Sequence, residues 1–446
     1  MLELWYEWLE RALEQHIPKR TVHRSSLPPW ISKETSHLLK CLKTAKKRYG
    51  ELHVKVDNLS KRVELETNND KIAYEQNLAG GRDTSKLFKY FKAFRKENFP
   101  KKMNYDKASA DDDLSKANLF ATYFASVYTN STTFIQPVNQ SDMETIQDIC
   151  VSEKEIMILC KDLKINKSKG PDGLPPLLFK KICLSIPHSL CQLFRKILQT
   201  GVFPDIWKQA IVIPIFKEGK KSDVTNYRPV SLLCIPSKIF EHMLFKPLYK
   251  HCEKYFHNSQ YGFRKNLSPI IQLITFLQKV YEGIASRQEI DIIFTDFSKA
   301  FDKVDHAILL KKIHDIGIRG KLFKVLKSYI SGRTQKVRVA NELSEEFLVT
   351  SGVPQGSILS PLLFLIFIND LPNQCENIFS WLFADDAKFV SLGLPVPVIQ
   401  NDLDAIQKWT DPNGWHYSYR ITDIERREVE SFSRITWIEL TEVENF

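Results

Sequence analysis

The chain has no Cys-x-x-Cys pair and no Cys/His cluster at zinc spacing; its eight cysteines are scattered at 41, 150, 160, 183, 191, 234, 252 and 375. Structural zinc and a disulfide framework are therefore set aside, and buried free thiols are expected. A long hydrophobic run is also missing. The longest, around Ile358–Ile368, is interrupted by Ser360 and Pro361 and is too short to span a bilayer, so no membrane partner is expected. The opening Met1-Leu-Glu-Leu-Trp-Tyr-Glu7 lacks the basic n-region of a secretory signal. An intracellular protein, nuclear or cytoplasmic, is the expectation.

What is present is a globular composition with an uneven charge. With 446 residues, 43% hydrophobic and 26% charged, the chain has material for two or three subdomains with their own cores. Of the net +10, residues 36–102 supply most, with 17 Lys/Arg against 8 Asp/Glu. A polyanionic partner follows from that imbalance.

Helical spacing runs through residues 1–20, closed by Pro18, and through 36–102, broken at Gly80-Gly81. Within the second stretch Lys86, Lys89, Lys92 and Arg95 interleave with aromatics, a strip that suits a phosphate backbone with rings for stacking. The same pattern equally describes an amphipathic helix whose rings face a core. Residues 103–112 read as a polar loop, 114–128 as a helix and 129–141 as a polar connector. Helices are expected over 152–163 and over 176–198, with a basic turn-rich loop at 166–173 between them. Ala210–Phe216 reads as a buried strand. A basic loop and a second strand after it would bring Lys217 and Arg228 to one end of a hairpin, where they could hold a triphosphate. Taken alone, such a loop is more commonly just a basic surface.

Asp291–Phe297 reads as a strand ending near Asp296, with Ser298 capping a following helix that carries Phe301, Val304, Ile308 and Ile313 and stops near Gly317. Asp302 and Asp305 then fall in its early turns. Residues 335–339 and 346–350 look like a hairpin leading into Ser351-Gly-Val-Pro-Gln-Gly-Ser357, whose glycines permit close backbone approach to a ligand, and then a helix over 358–371. In 378–392 two β-prone apolar runs meet at Asp385-Asp386. Two like charges hemmed in by Trp381, Leu382, Phe383, Phe389 and Val390 repel and lose hydration, so a divalent cation is expected there. Alone such a pair is weak evidence, a solvated turn being the default reading.

Together these segments fit two-metal phosphoryl transfer, in which carboxylates from separate strands hold two ions roughly 3.5–4 Å apart. Asp296-Phe-Ser-Lys-Ala-Phe-Asp-Lys-Val-Asp-His306, Gly352-Val-Pro-Gln-Gly-Ser357 and Phe383-Ala-Asp-Asp386, in that order, resemble motifs A, B and C of a reverse transcriptase. With Lys169-Gly-Pro-Asp-Gly173, Asn226-Tyr-Arg-Pro-Val-Ser231 and Gln260-Tyr-Gly-Phe-Arg264, the pattern over about 150–410 resembles the jockey-like branch of non-LTR (LINE-type) retrotransposons.

The resemblance implies an α+β fold: right-hand polymerase fingers and palm, the palm a split βαβ sheet, after a helical N-terminal region. It implies RNA-directed DNA polymerisation on an RNA template and DNA primer with dNTP and two Mg²⁺, Mn²⁺ being the alternative. Asp296, Asp385 and Asp386 take the catalytic metal-binding positions. Lys217, Arg228, Phe301, Gln355 and Gly356 take the dNTP-contacting ones, with Phe301 as a steric gate against the ribose 2′-hydroxyl. Lys86, Lys89, Lys92, Arg95 and Arg264 are the candidate nucleic-acid contacts. Phe301, and Phe-Ala-Asp-Asp in place of Gly-Asp-Asp, argue against an RNA-dependent RNA polymerase.

The expected division is a basic helical linker (1–110), a helix and polar connector (111–150), fingers and the start of the palm (151–290), palm with motifs A, B and C (291–410), and an atypical acidic tail (411–446). Residues 415–446 hold seven acids, four arginines and no lysine, and lack the Asn-x-x-Lys segment that the family carries before its thumb. The expectation is a missing thumb, weak processive synthesis, and a partner supplying thumb or endonuclease functions. A catalytically silent remnant that binds nucleic acid through the basic helices is the competing expectation.

Overall fold

A computed structural model describes residues 2–17, 27–51, 53–80, 90, 99–129, 144–410 and 417–424. The chain divides into two units, residues 6–99 and residues 1–5 with 100–446. The smaller holds most of the helix Leu2–His16 and two longer helices, Lys33–Tyr49 and Val54–Gly80, joined through Gly50 at φ 79°. The Gly50 break divides a stretch expected to run unbroken to Gly80. Ser32 caps the first helix by accepting from the Thr35 N–H, and the Asp70 carboxylate accepts the Ser32 N–H at 2.8 Å. Lys86, Lys89, Lys92 and Arg95 lie outside the described residues.

In the larger unit, residues 103–112 are not a loop. Met103–Tyr105 (β1) and Ala108–Ala110 (β2) pair as a short hairpin, with Asp106 taking the left-handed turn position at φ 51°. The helix Asp113–Val127 follows, its N-terminus capped by Asp112. The single helix expected over 176–198 is two, Pro176–Lys181 and Pro187–Thr200. Pro187 has no N–H to give a continuing helix, whereas in the first turn of a new one that loss is harmless.

Two sheets carry the site. Gln209–Phe216 (β3) and Tyr227–Leu232 (β4) form the expected antiparallel hairpin, and Arg333–Val339 (β6) joins β3 in parallel. Glu342–Leu343 (β7) and Phe347–Val349 (β8) complete that sheet on β6. In the second sheet Ile290–Phe297 (β5) is flanked by Asp386–Leu392 (β10) and Tyr417–Ile424 (β11), with Phe379–Phe383 (β9) at the far edge, all antiparallel. The helix Pro269–Ala285 buries Phe276 and Val280 against Ile290, Ile292, Trp381 and Val390. The stretch read as an atypical tail thus adds a strand to the sheet that carries Asp296.

Ser298 does not cap a helix. The following Lys299 is left-handed at φ 54°, residues 298–302 turn, and the helix starts at His306. Its cap is Asp305, whose carboxylate accepts from Ala307 N–H at 2.7 Å and Ile308 N–H at 2.9 Å. Among the described residues no helix is long and apolar enough to cross a membrane.

Candidate active site

The β9–β10 hairpin pairs Phe383 with Asp386, so Ala384 and Asp385 are the two turn residues. Ala384 holds φ 57°, a conformation that glycine adopts far more readily. The flanking Trp381, Leu382, Phe389 and Val390 are buried, while Asp385 is half-buried and Asp386 exposed. The acid pair is therefore less enclosed than its apolar neighbours suggest. The strands turn their rings inward and leave the carboxylates at the sheet's rim.

Asp296 reaches the same rim by register. Ala387 pairs with Thr295, one residue short of Asp386 and Asp296, so the two backbones stand side by side where β5 and β10 end. Only the backbone of Asp296 belongs to the described structure. Among the described side chains no three His, Cys, Asp or Glu groups form a metal-holding cluster. The donor chemistry nonetheless fits a hard divalent ion, since Asp385 and Asp386 offer carboxylate oxygens at the rim and an aspartate, Asp296, stands beside them in backbone register.

Facing the rim is a cleft of about 950 Å³ whose walls include Asp385, Asp386, Lys217, Arg228, Phe301 and Gln355. Lys217 and Arg228 come from the β3–β4 hairpin, where Lys217 N–H donates to Asn226 O at 2.8 Å. The Lys217 ammonium pairs with Glu218 at 2.9 Å, which holds the Glu218 carboxyl below its usual range. A third cation, Lys299, also lines the cleft. Burial pushes its pKa down, the Asp302 charge opposes that, and the positive charges of Lys217 and Arg228 add to the lowering. Sequence reasoning passed over Lys299; its signal was a lysine three residues beyond Asp296.

Phe301 stands in the turn before the helix His306–Asp315. Its ring stacks on Phe364 at 4.3 Å and 5°, and Phe263 meets it edge-on at 6.2 Å. Such stacking fixes the ring's plane. The 351–357 loop is stitched to this turn. Gly352 N–H donates to Val304 O at 2.7 Å, Val353 N–H to Phe301 O at 2.8 Å, and Ser351 Oγ to Asp302 O at 2.8 Å. A Cβ on Gly352 would come within 2.6 Å of Asp302 O, so only glycine permits the approach.

Gln355 and Gly356 are wedged between that turn and β4. Gln355 Nε2 donates to Asp302 Oδ1 at 2.9 Å, and Gln355 O accepts from Ser231 N–H at 2.7 Å. Gly356, at φ 129°, would place a Cβ 2.5 Å from Ser231 O. Asp302 is thus no helix-dipole residue but a buried carboxyl, pushed up to about 6 by burial against the opposing pull of Gln355 and Lys299. Behind the loop, the buried Glu241 accepts from Ser357 Oγ at 2.6 Å and Ile358 N–H at 2.8 Å.

Arg264 is braced against its own loop. Its guanidinium donates to His257 O at 2.9 Å and Gln260 O at 3.2 Å and lies over the Phe256 ring.

Residues 218–418 match the family described as reverse transcriptase (RNA-dependent DNA polymerase). The chain is 30% identical over 281 residues to the probable RNA-directed DNA polymerase from transposon BS of Drosophila melanogaster, covering 60% of this chain and 31% of that protein. It is 31% identical over 275 residues to the RNA-directed DNA polymerase from mobile element jockey of Drosophila melanogaster, covering 58% and 30%. Against the probable polymerase from transposon X-element of the same organism the identity is 32% over 228 residues, covering 50% and 25%. The chain spans about a third or less of the length of these curated relatives. The matched segment contains Arg228, Asp296, Gln355 and the Ala384-Asp385 turn, and by it the chain carries a reverse transcriptase (RNA-dependent DNA polymerase) domain related to those of jockey and other non-LTR elements.

Proposed function

We propose that this chain performs RNA-directed DNA synthesis, adding a deoxynucleotide to a primer 3′-hydroxyl in the cleft between the two sheets. In this reading the β5–β10 sheet is the palm and the β3–β4 sheet belongs to the fingers. The observation that carries it is one cleft bounded by carboxylates on one side and cations on the other, with an aromatic and a glycine loop between them. Asp296, Asp385 and Asp386 would hold two divalent ions, Mg²⁺ or Mn²⁺. Those ions would activate the primer hydroxyl and offset the charge of the departing pyrophosphate.

The chain's own groups account for the rest. Lys217 and Arg228 line the same cleft from the β3–β4 hairpin and would take the triphosphate, Arg as a planar fork and Lys as a point charge. Lys299 adds positive charge beside them. The primer oxygen bonds to the α-phosphorus and the bond to the β-phosphate oxygen breaks, so the negative charge that develops lies on the side of the cations. Phe301, fixed by Phe364, is the sugar-facing plane that would clash with a 2′-hydroxyl. The basic N-terminal unit is the natural ground for the RNA template.

The test is extension of a DNA primer by one nucleotide on an RNA template with Mg²⁺, comparing dNTP with rNTP and the chain with its Asp385→Ala variant. Extension with dNTP alone, lost in the variant, is expected. Salt-sensitive template binding with no extension would overturn the enzymatic reading.

A further inference from the structure

The turn that presents Asp385 is not self-supporting. Ala384 sits in left-handed backbone where a side chain is disfavoured, in a two-residue turn whose sequence, Ala-Asp, is poor for that geometry. Something outside the hairpin must hold it. That group is Gln260, buried, and 124 residues away in sequence. Its Oε1 accepts from Ala384 N–H at 3.0 Å and from Gly262 N–H at 2.8 Å, while Nε2 donates to Ala384 O at 3.3 Å. One amide thereby grips both backbone polar groups of the strained residue.

The strap that delivers Gln260 is itself fastened to β9. Leu382 N–H donates to Ser259 O at 2.8 Å and Tyr261 N–H to Leu382 O at 2.8 Å. A Cβ on Gly262 would fall 2.2 Å from Ala384 N, so glycine is what lets the strap lie against the turn.

We infer that Gln260 is a positioning residue for polymerisation: it fixes the backbone of Ala384, and through it the aim of the Asp385 carboxylate, with Gly262 admitting the contact. The inference rests on the proposed function for its catalytic half. Its structural half stands by itself. Oxygen, nitrogen and backbone partners are all satisfied only by a carboxamide of this length, since Leu would offer neither acceptor nor donor.

The experiment uses the full chain and its Gln260→Leu and Gln260→Leu/Ala384→Gly variants. Three quantities are read: amide hydrogen exchange at Ala384, Mn²⁺ affinity by electron paramagnetic resonance, and kcat and KM for single-dNTP extension. In Gln260→Leu, Ala384 should exchange faster while the helix Pro269–Ala285 exchanges as before. Mn²⁺ should bind about 10- to 100-fold more weakly, the usual loss when a group that orients a metal ligand is removed. kcat should fall by a similar factor with KM for dNTP within about twofold, because the cations on the opposite wall are untouched. Adding Ala384→Gly, which makes the left-handed turn comfortable without a brace, should return part of the Mn²⁺ affinity and of kcat.

Unchanged exchange at Ala384 in Gln260→Leu would overturn the inference, as would released exchange with Mn²⁺ affinity and kcat both intact. If the parent chain neither binds Mn²⁺ nor extends a primer, yet Gln260→Leu still releases Ala384, the proposed function falls and the brace stands.

Discussion

The two walls of the cleft are built on different plans. The Asp385 turn is locked by hydrogen bonds to a buried amide and by a strap on β9, so its position is set by backbone. The backbone of the Lys217–Arg228 hairpin is also held, by Asn104 N–H on Ser222 O at 2.7 Å and Tyr227 Oη on Lys221 O at 2.7 Å, but its cations project from it on long, exposed side chains. Metal coordination tolerates a few tenths of an ångström, whereas a triphosphate can be met by flexible charges that follow it. The difference predicts one wall sensitive to small backbone changes and another whose exposed side chains can be lost one at a time with graded effect.

The sharpest break of that contrast is Asp385→Asn. It keeps the turn's shape but removes a charge, and single-nucleotide extension should fall on the order of a thousandfold, the loss of several kcal/mol of electrostatic stabilisation. The melting temperature should hold, and a lower one would mean that the carboxylate is structural. On the other wall, Arg228→Ala should raise KM for dNTP about ten- to a hundredfold with a smaller change in kcat, as for loss of a charge-assisted hydrogen bond. Steady-state titration of dNTP decides it; a kcat loss with KM unmoved would place Arg228 in the chemical step.

Phe301→Ala tests what lies between the walls. Discrimination against rNTP should drop about tenfold or more, read as the ratio of kcat/KM for the two sugars, while dNTP use stays near the parent level. The smallest effect on activity is expected from Asp302→Asn, whose signature is stability. The folded-state pKa of Asp302, about 6, lies above its ordinary value of 3.8, so the folded chain favours the protonated acid. That stabilisation is complete below about pH 4 and is lost as the pH rises through 6, on the order of 2–3 kcal/mol in all. The asparagine variant should be flat across that window in urea titrations and melt a few degrees higher at pH 7.5. A lower melting point there would mean that Lys299 fully compensates the buried charge.

Much of this arrangement was legible in the sequence because its signals are short and local. A strand, two acids and a strand make a hairpin, and Gly352 and Gly356 mark backbone approach. What escaped depends on partners distant in sequence or on one residue's backbone. The cap moved from Ser298 to Asp305 because Lys299 is left-handed, which no apolar periodicity reports. The 176–198 helix stops at Lys181 and a new one starts at Pro187, although the apolar spacing continues. Gln260 was visible as part of a motif, but only the fold brings its amide to Ala384.

The strand Tyr417–Ile424 carries a consequence for anyone shortening this chain. It pairs along the whole of β5, from Ile290 to Phe297, and so covers the open side of the strand that bears Asp296. A version cut after Thr410 would present that side as a bare sheet edge, a template for pairing with a second molecule. Such a truncation should self-associate through the strand on which the proposed chemistry relies, so that loss of solubility and loss of any synthesis would arrive together and from one cause.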